Sequence, residues 1–187
     1  MTGQTSGALD RFPWRPLAWG AAAAILLLPL AAMQFTPEVN WTATDFGFMG
    51  ALLAASLVGL EIALRASRDF AYRLGAVVAL GSAFLLVWVN AAVGIIADEN
   101  QSANLMYAAV LAVALLGAVA VRGRPTGMFW TMVATAGVQV AIPFAVLMIW
   151  PDARPIVVEP EVPAATAVFA AAWLVAALLF RNSAKRA

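Results

Sequence analysis

The chain has 187 residues, 64% of them hydrophobic and only 11% charged, with a net charge of +1. A soluble domain carries about a quarter charged residues, so most of this chain is not built to face water. Cysteine and histidine are both absent, which excludes disulfides, thiol nucleophiles, Cys/His zinc sites, His-ligated haem and the commonest general base.

A bilayer core about 30 Å thick needs roughly 20 apolar residues of helix. Six runs meet that need, at 17–35, 46–64, 74–97, 103–121, 127–150 and 164–180. The runs are continuous rather than alternating with period two, so they predict helices and not barrel strands. The expected fold is an all-α polytopic membrane bundle of six transmembrane helices over residues 16–181. A disordered tail over 1–15 precedes it and a short tail over 182–187 follows.

In chain order, Pro16 is placed to open the first span, where its missing N–H costs nothing. The stretch Thr42-Ala43-Thr44-Asp45 reads as a capping box at the head of the second. That span carries the one acid inside a run, Glu61. An ionisable group in a span is a functional candidate by default. Arg65 follows four residues later, in the favourable order for a helical ion pair, and the structural pair is the simpler reading. Ala51, Ala55, Gly59 and Ala63 form a small-residue stripe on the same helix, and Gly75, Ala79 and Ala83 form one on the third. Such stripes let helices approach closely.

Asn90 lies in the outer third of the third span, and the hairpin after it holds Asp98, Glu99, Asn104 and Tyr107. This oxygen-rich turn lacks the spacing of a calcium loop and reads as a solvated connection, with Ser102 available as a cap. In the fifth span, Gln139 is near mid-membrane, and Pro143 deprives its carbonyl of the usual helical donor. Such a break can line a solute path, although buried amides more often hold helices together. Four prolines, Pro151, Pro155, Pro160 and Pro163, favour an extended path between the fifth and sixth spans.

With a cytoplasmic N-terminus, the inner segments hold Arg11, Arg15, Arg65, Arg68, Arg73, Arg122, Arg124, Arg181, Lys185 and Arg186, leaving only Arg154 outside. The positive-inside bias therefore predicts both termini in the cytoplasm. Trp14, Trp19 and Trp130 at that face, with Trp41 and Trp150 at the other, fit aromatic belts.

The segment 45–124 resembles an uncharacterised family of small multi-pass bacterial inner-membrane proteins. The likeness is carried by Phe84-Leu85-Leu86-Val87-Trp88-Val89-Asn90, by Ala92-Val93-Gly94-Ile95-Ile96, and by Glu99-Asn100 through Ala103-Asn104-Leu105-Met106-Tyr107. It implies a bacterial inner membrane and no mechanism. It also nominates Asn90, Glu99, Asn104 and Tyr107 as one outer polar cluster tying the third and fourth helices.

No catalytic constellation is legible: Asp45 and Glu61 stand about 24 Å apart on one helix. We therefore expect no enzyme, no cofactor and no metal site. The expected partners are membrane lipid and, through the stripes, other membrane subunits or a second copy, with nothing pointing to nucleic acid. The expected function is a structural or accessory subunit or scaffold of a membrane assembly. The alternative is a small proton- or solute-conducting transporter or channel that uses Glu61 and the Gln139–Pro143 break.

Overall fold

The computed structural model describes residues 14–97, 101–150 and 153–186. All regular elements among them are helical. They are α1 (Trp14–Ala32), α2 (Ala43–Ala66), α3 (Phe70–Ala92), α4 (Ala108–Ala120), α5 (Pro125–Ile149), the one-turn α6 (Arg154–Val157) and α7 (Glu161–Ala184). A 3-10 helix over Ser102–Tyr107 leads into α4. Six segments, Ser102–Ala120 counted as one, are long and apolar enough to cross a membrane. The longest, α5, has 25 residues, about 37 Å at helical rise. These features mark a polytopic helical membrane protein.

The chain divides into two units, Met1–Val58 and Gly59–Ala187. In the first, the capping box closes reciprocally. Asp45 accepts from the Thr42 amide at 2.7 Å and its hydroxyl at 2.8 Å, while the Asp45 amide donates to Thr42 Oγ1 at 3.3 Å. The helix start in the sequence is thus a hydrogen-bonded one, with free amides answered by side chains.

The second unit is a row in which α7 lies between α3 and α5, and α5 lies between α7 and α4. The buried face of α7 is Val162, Thr166, Phe169, Ala170, Trp173, Ala176, Ala177, Phe180 and Ser183. That three-and-four spacing is one stripe of a helix. The small-residue stripe of α3 packs within this unit. A Cβ on Gly75 would stand 3.2 Å from Leu179 Cβ and 3.4 Å from the Ala176 carbonyl, and Ala79 and Ala83 lie against the core.

Several boundaries differ from those the sequence predicts. The third span is expected to run to Ala97, but α3 ends at Ala92. Gly94 then takes φ +73° and Ala97 φ +61°, a left-handed turn that ends the helix. Hydropathy missed this because Ile95 and Ile96 are buried all the same, packed into the core from a loop.

The proline-rich connection also departs from the extended path. Pro155 sits in the first turn of α6, Pro160 is the N-cap of α7 and Pro163 stands in its first turn. At those positions a helix needs no proline N–H, so the same residues start helices. Likewise α1 begins at Trp14 and α7 continues to Ala184, taking up residues assigned to the tails. The rest of the N-terminal tail lies outside the described residues.

The Gly75 contact yields a stability prediction. Gly75→Val should lower the melting temperature in detergent, by about 1–3 kcal/mol of overpacking. Gly81, where an added Cβ meets nothing within 4 Å, should accept alanine without loss. Thermal unfolding of the two variants side by side checks the pair.

Candidate functional site

At the Arg-rich end of the second unit, short polar side chains knit the helix termini together. Asp69 caps α3 by accepting from the Tyr72 amide at 2.9 Å. Arg73 donates to the carbonyls of Ser67 at 2.9 Å and Leu64 at 3.3 Å, satisfying the end of α2. The Tyr72 hydroxyl donates to the Gly123 carbonyl at 2.9 Å. Gly123 holds φ +67°, and a Cβ there would stand 2.9 Å from that hydroxyl, so glycine is required twice over. Tyr72 also meets Phe180 edge-on at 5.1 Å, and Arg181 lies 5.8 Å from the Phe129 ring centre.

Four contacts hold the Asp69 carboxyl below its ordinary range, the weakest of them with the Ala71 amide. The largest is the Tyr72 amide, followed by the hydroxyl of Ser183 and the charge of Arg186, whose guanidinium is 3.9 Å away.

Glu61 and Arg65 meet on α2 at 3.3 Å, the acid 14% exposed and the base 72%. An exposed partner on the adjacent turn makes this a modest surface-type pair.

The opposite half of the bundle is different in kind. Asn104, buried in the 3-10 helix, accepts from the amides of Ile95 at 3.1 Å and Ile96 at 2.9 Å, and donates to the Ile96 carbonyl at 3.2 Å. One carboxamide thus satisfies the backbone of the loop that leaves α3, where water cannot. Asn90 does not share in this tie; its amide nitrogen donates to Leu86 of its own helix at 2.7 Å. Asp98 and Glu99 lie outside the described residues.

Gln139 is fully buried on α5, and neither its amide nitrogen nor its oxygen has a hydrogen-bond partner among the described residues. Pro143 stands inside the same helix, so it offers no N–H to the Gln139 carbonyl. The same condition recurs at Trp173 Nε1, Tyr107 Oη, Thr166 Oγ1 and Asn90 Oδ1. Tyr107 and Thr166 are neighbours, yet their hydroxyls close no bond of standard geometry. Thr135, one turn closer to the Arg-rich end, is satisfied, donating to the Thr131 carbonyl at 2.8 Å.

Of the residues nominated from sequence, the structure joins Glu61 with Arg65, and Asn104 and Tyr107 are both buried in one 3-10 helix. Trp173 and Thr166 were not nominated. Their signal was the seven-residue interval on one face of α7, unreadable while every face of that helix looked apolar.

No family model, curated protein or solved structure matches the chain.

Two predictions come from these contacts. Asn104→Ala strands the Ile95 and Ile96 amides and should cost on the order of 1–3 kcal/mol. Asn90→Ala should cost clearly less, as read by unfolding in detergent and by amide exchange at the two isoleucines. For Asp69, a lowered folded pKa means a contribution present above the ordinary carboxylate pKa, about 3.9. That contribution is lost as pH falls through the folded value. Asp69→Asn, which keeps a capping side chain, should therefore flatten the decline of stability on the acid side, measured as melting temperature against pH.

Proposed function

We propose that the chain is a non-catalytic component of a bacterial inner membrane, an accessory subunit or scaffold of a larger assembly, with both ends in the cytoplasm. The observation that carries this reading is the chemistry of the interior. Among the described residues the buried polar side chains are Ser82, Asn104, Thr131, Thr135, Gln139, Thr166 and Ser183, and none is charged. No cluster of acids is arranged to hold a metal ion among the described residues either. Such an interior suits packing more than acid–base or covalent chemistry, which needs a titratable group or a hydroxyl activated by a neighbouring base.

The orientation rests on the rim built by Asp69, Tyr72, Arg73, Gly123 and Arg186. These residues tie Arg-rich connections to one end of the second unit, and the positive-inside bias favours the cytoplasm for that end. The bacterial inner membrane is carried by the resemblance of 45–124 alone.

A second reading, conduction of a small solute, is favoured by the unpartnered amide of Gln139 beside Pro143. Proton conduction has less support, since Glu61 is already paired with Arg65 at the rim.

Affinity purification of a tagged chain from its native membrane separates the two. A stoichiometric partner is the expected result. A homogeneous species of this chain alone, active in proteoliposome flux and silenced by Gln139→Leu, would replace assembly with conduction.

A further inference from the structure

The turn between α4 and α5 holds an open recess of about 440 Å³. Its walls are Ala120 and Val121 from the end of α4, Arg122 and Arg124 from the turn, and Pro125, Thr126 and Gly127 at the head of α5. It lies at headgroup depth. At about 37 Å, α5 is longer than a hydrocarbon core of about 30 Å. Trp130, about 8 Å into the helix, is exposed as a belt tryptophan is.

The hydrogen bonds of the turn are lopsided. Its carbonyls are answered: Gly117, Ala118, Val119 and Val121 accept from backbone amides of the turn, and Gly123 accepts from the Tyr72 hydroxyl. Its donors are not. Pro125 opens α5, and Arg124 at the N-cap offers no side-chain acceptor. The first amide of the helix with a backbone partner is that of Met128, which donates to the Arg124 carbonyl, so those of Thr126 and Gly127 stay open. Arg122 and Arg124 are exposed, and no ion pair among the described residues involves either. The chain has no acid between Glu99 and Asp152 to answer them.

Neither arginine is what the turn itself asks for. Arg122 holds φ +52°, a left-handed conformation that glycine or asparagine takes at less cost. At position 124, serine, threonine, aspartate or asparagine would cap the helix. We infer that the recess binds a phosphate group, held by the guanidiniums of Arg122 and Arg124 together with the hydroxyl of Thr126 and the open amides at the head of α5. Guanidinium forks and the amides of a helix start both suit phosphate oxygens. An anionic phospholipid headgroup and free phosphate present the same oxygens, and the depth of the recess favours the lipid. The inference stands apart from the assembly reading and holds whether or not a partner subunit exists.

The test is native mass spectrometry of the full chain, released from detergent micelles containing phosphatidylglycerol or phosphatidylcholine. Thermal unfolding in phosphate against chloride, at equal ionic strength, is run beside it. Arg122→Gly relieves the left-handed backbone, and Arg124→Ser supplies a cap that takes up an open amide, so both variants should fold as well as the natural chain. Arg68→Gln removes the same charge from another exposed arginine, in the α2–α3 connection. The expected result is preferential retention of phosphatidylglycerol, weakened about tenfold in each recess variant, the scale of one charge-assisted hydrogen bond, and unchanged in Arg68→Gln. A saturable rise in melting temperature with phosphate alone, lost in the recess variants, would assign the same site to free phosphate. No preference for phosphatidylglycerol and no effect of phosphate would overturn the inference. So would recess variants that bind like the natural chain, or an equal loss in Arg68→Gln, which would mark net charge rather than a site.

Discussion

The constraint on which the structure depends is the absence of water as a hydrogen-bonding partner along the helices. Backbone groups in hydrocarbon must be satisfied internally, so each helix end and each break has to find a partner in the protein. At the Arg-rich rim the partners are Asp69, Tyr72 and Arg73, which answer the open amides and carbonyls of α2, α3 and the α4–α5 turn. At the other end a single carboxamide, Asn104, does the same for the loop after α3.

With both ends secured, the middle of the second unit is free to pack by contact alone. In lipid, helices gain little from apolar burial itself, and close approach supplies the attraction. Gly75 lets α3 reach the backbone of α7, and Gly117 lets α4 approach Thr131 of α5. The result is a row of helices with α7 inside it, carrying Trp173 and Phe180 fully buried. Against that close packing, Gln139 and Trp173 stand out as buried polar side chains with no hydrogen-bond partner among the described residues.

Much of this was legible in the residues. The Thr42–Asp45 box and the Glu61–Arg65 spacing point to what these side chains do, whereas the hairpin holding Asn104 reads as a solvated turn although Asn104 is buried. The first two signals are local, set by helical geometry over three or four residues. The end of α3 was not legible, because Ile95 and Ile96 have the hydropathy of a continuing span while Gly94 turns the chain. The proline-rich connection was misread for a related reason: proline suits an extended path and a helix's first turn equally, and only its neighbours decide.

Sequence alone determined that the chain is a helical membrane protein and where its six long apolar segments lie, since length and hydropathy report the cost of leaving or entering a bilayer residue by residue. Tertiary structure alone decided which face of each helix is inside. In a helix apolar all round, no polar face marks the outside, so the inner face is chosen by which side chains fit a neighbour. That choice placed Trp173 and Thr166, which no polar pattern marks, in the interior beside the apolar core.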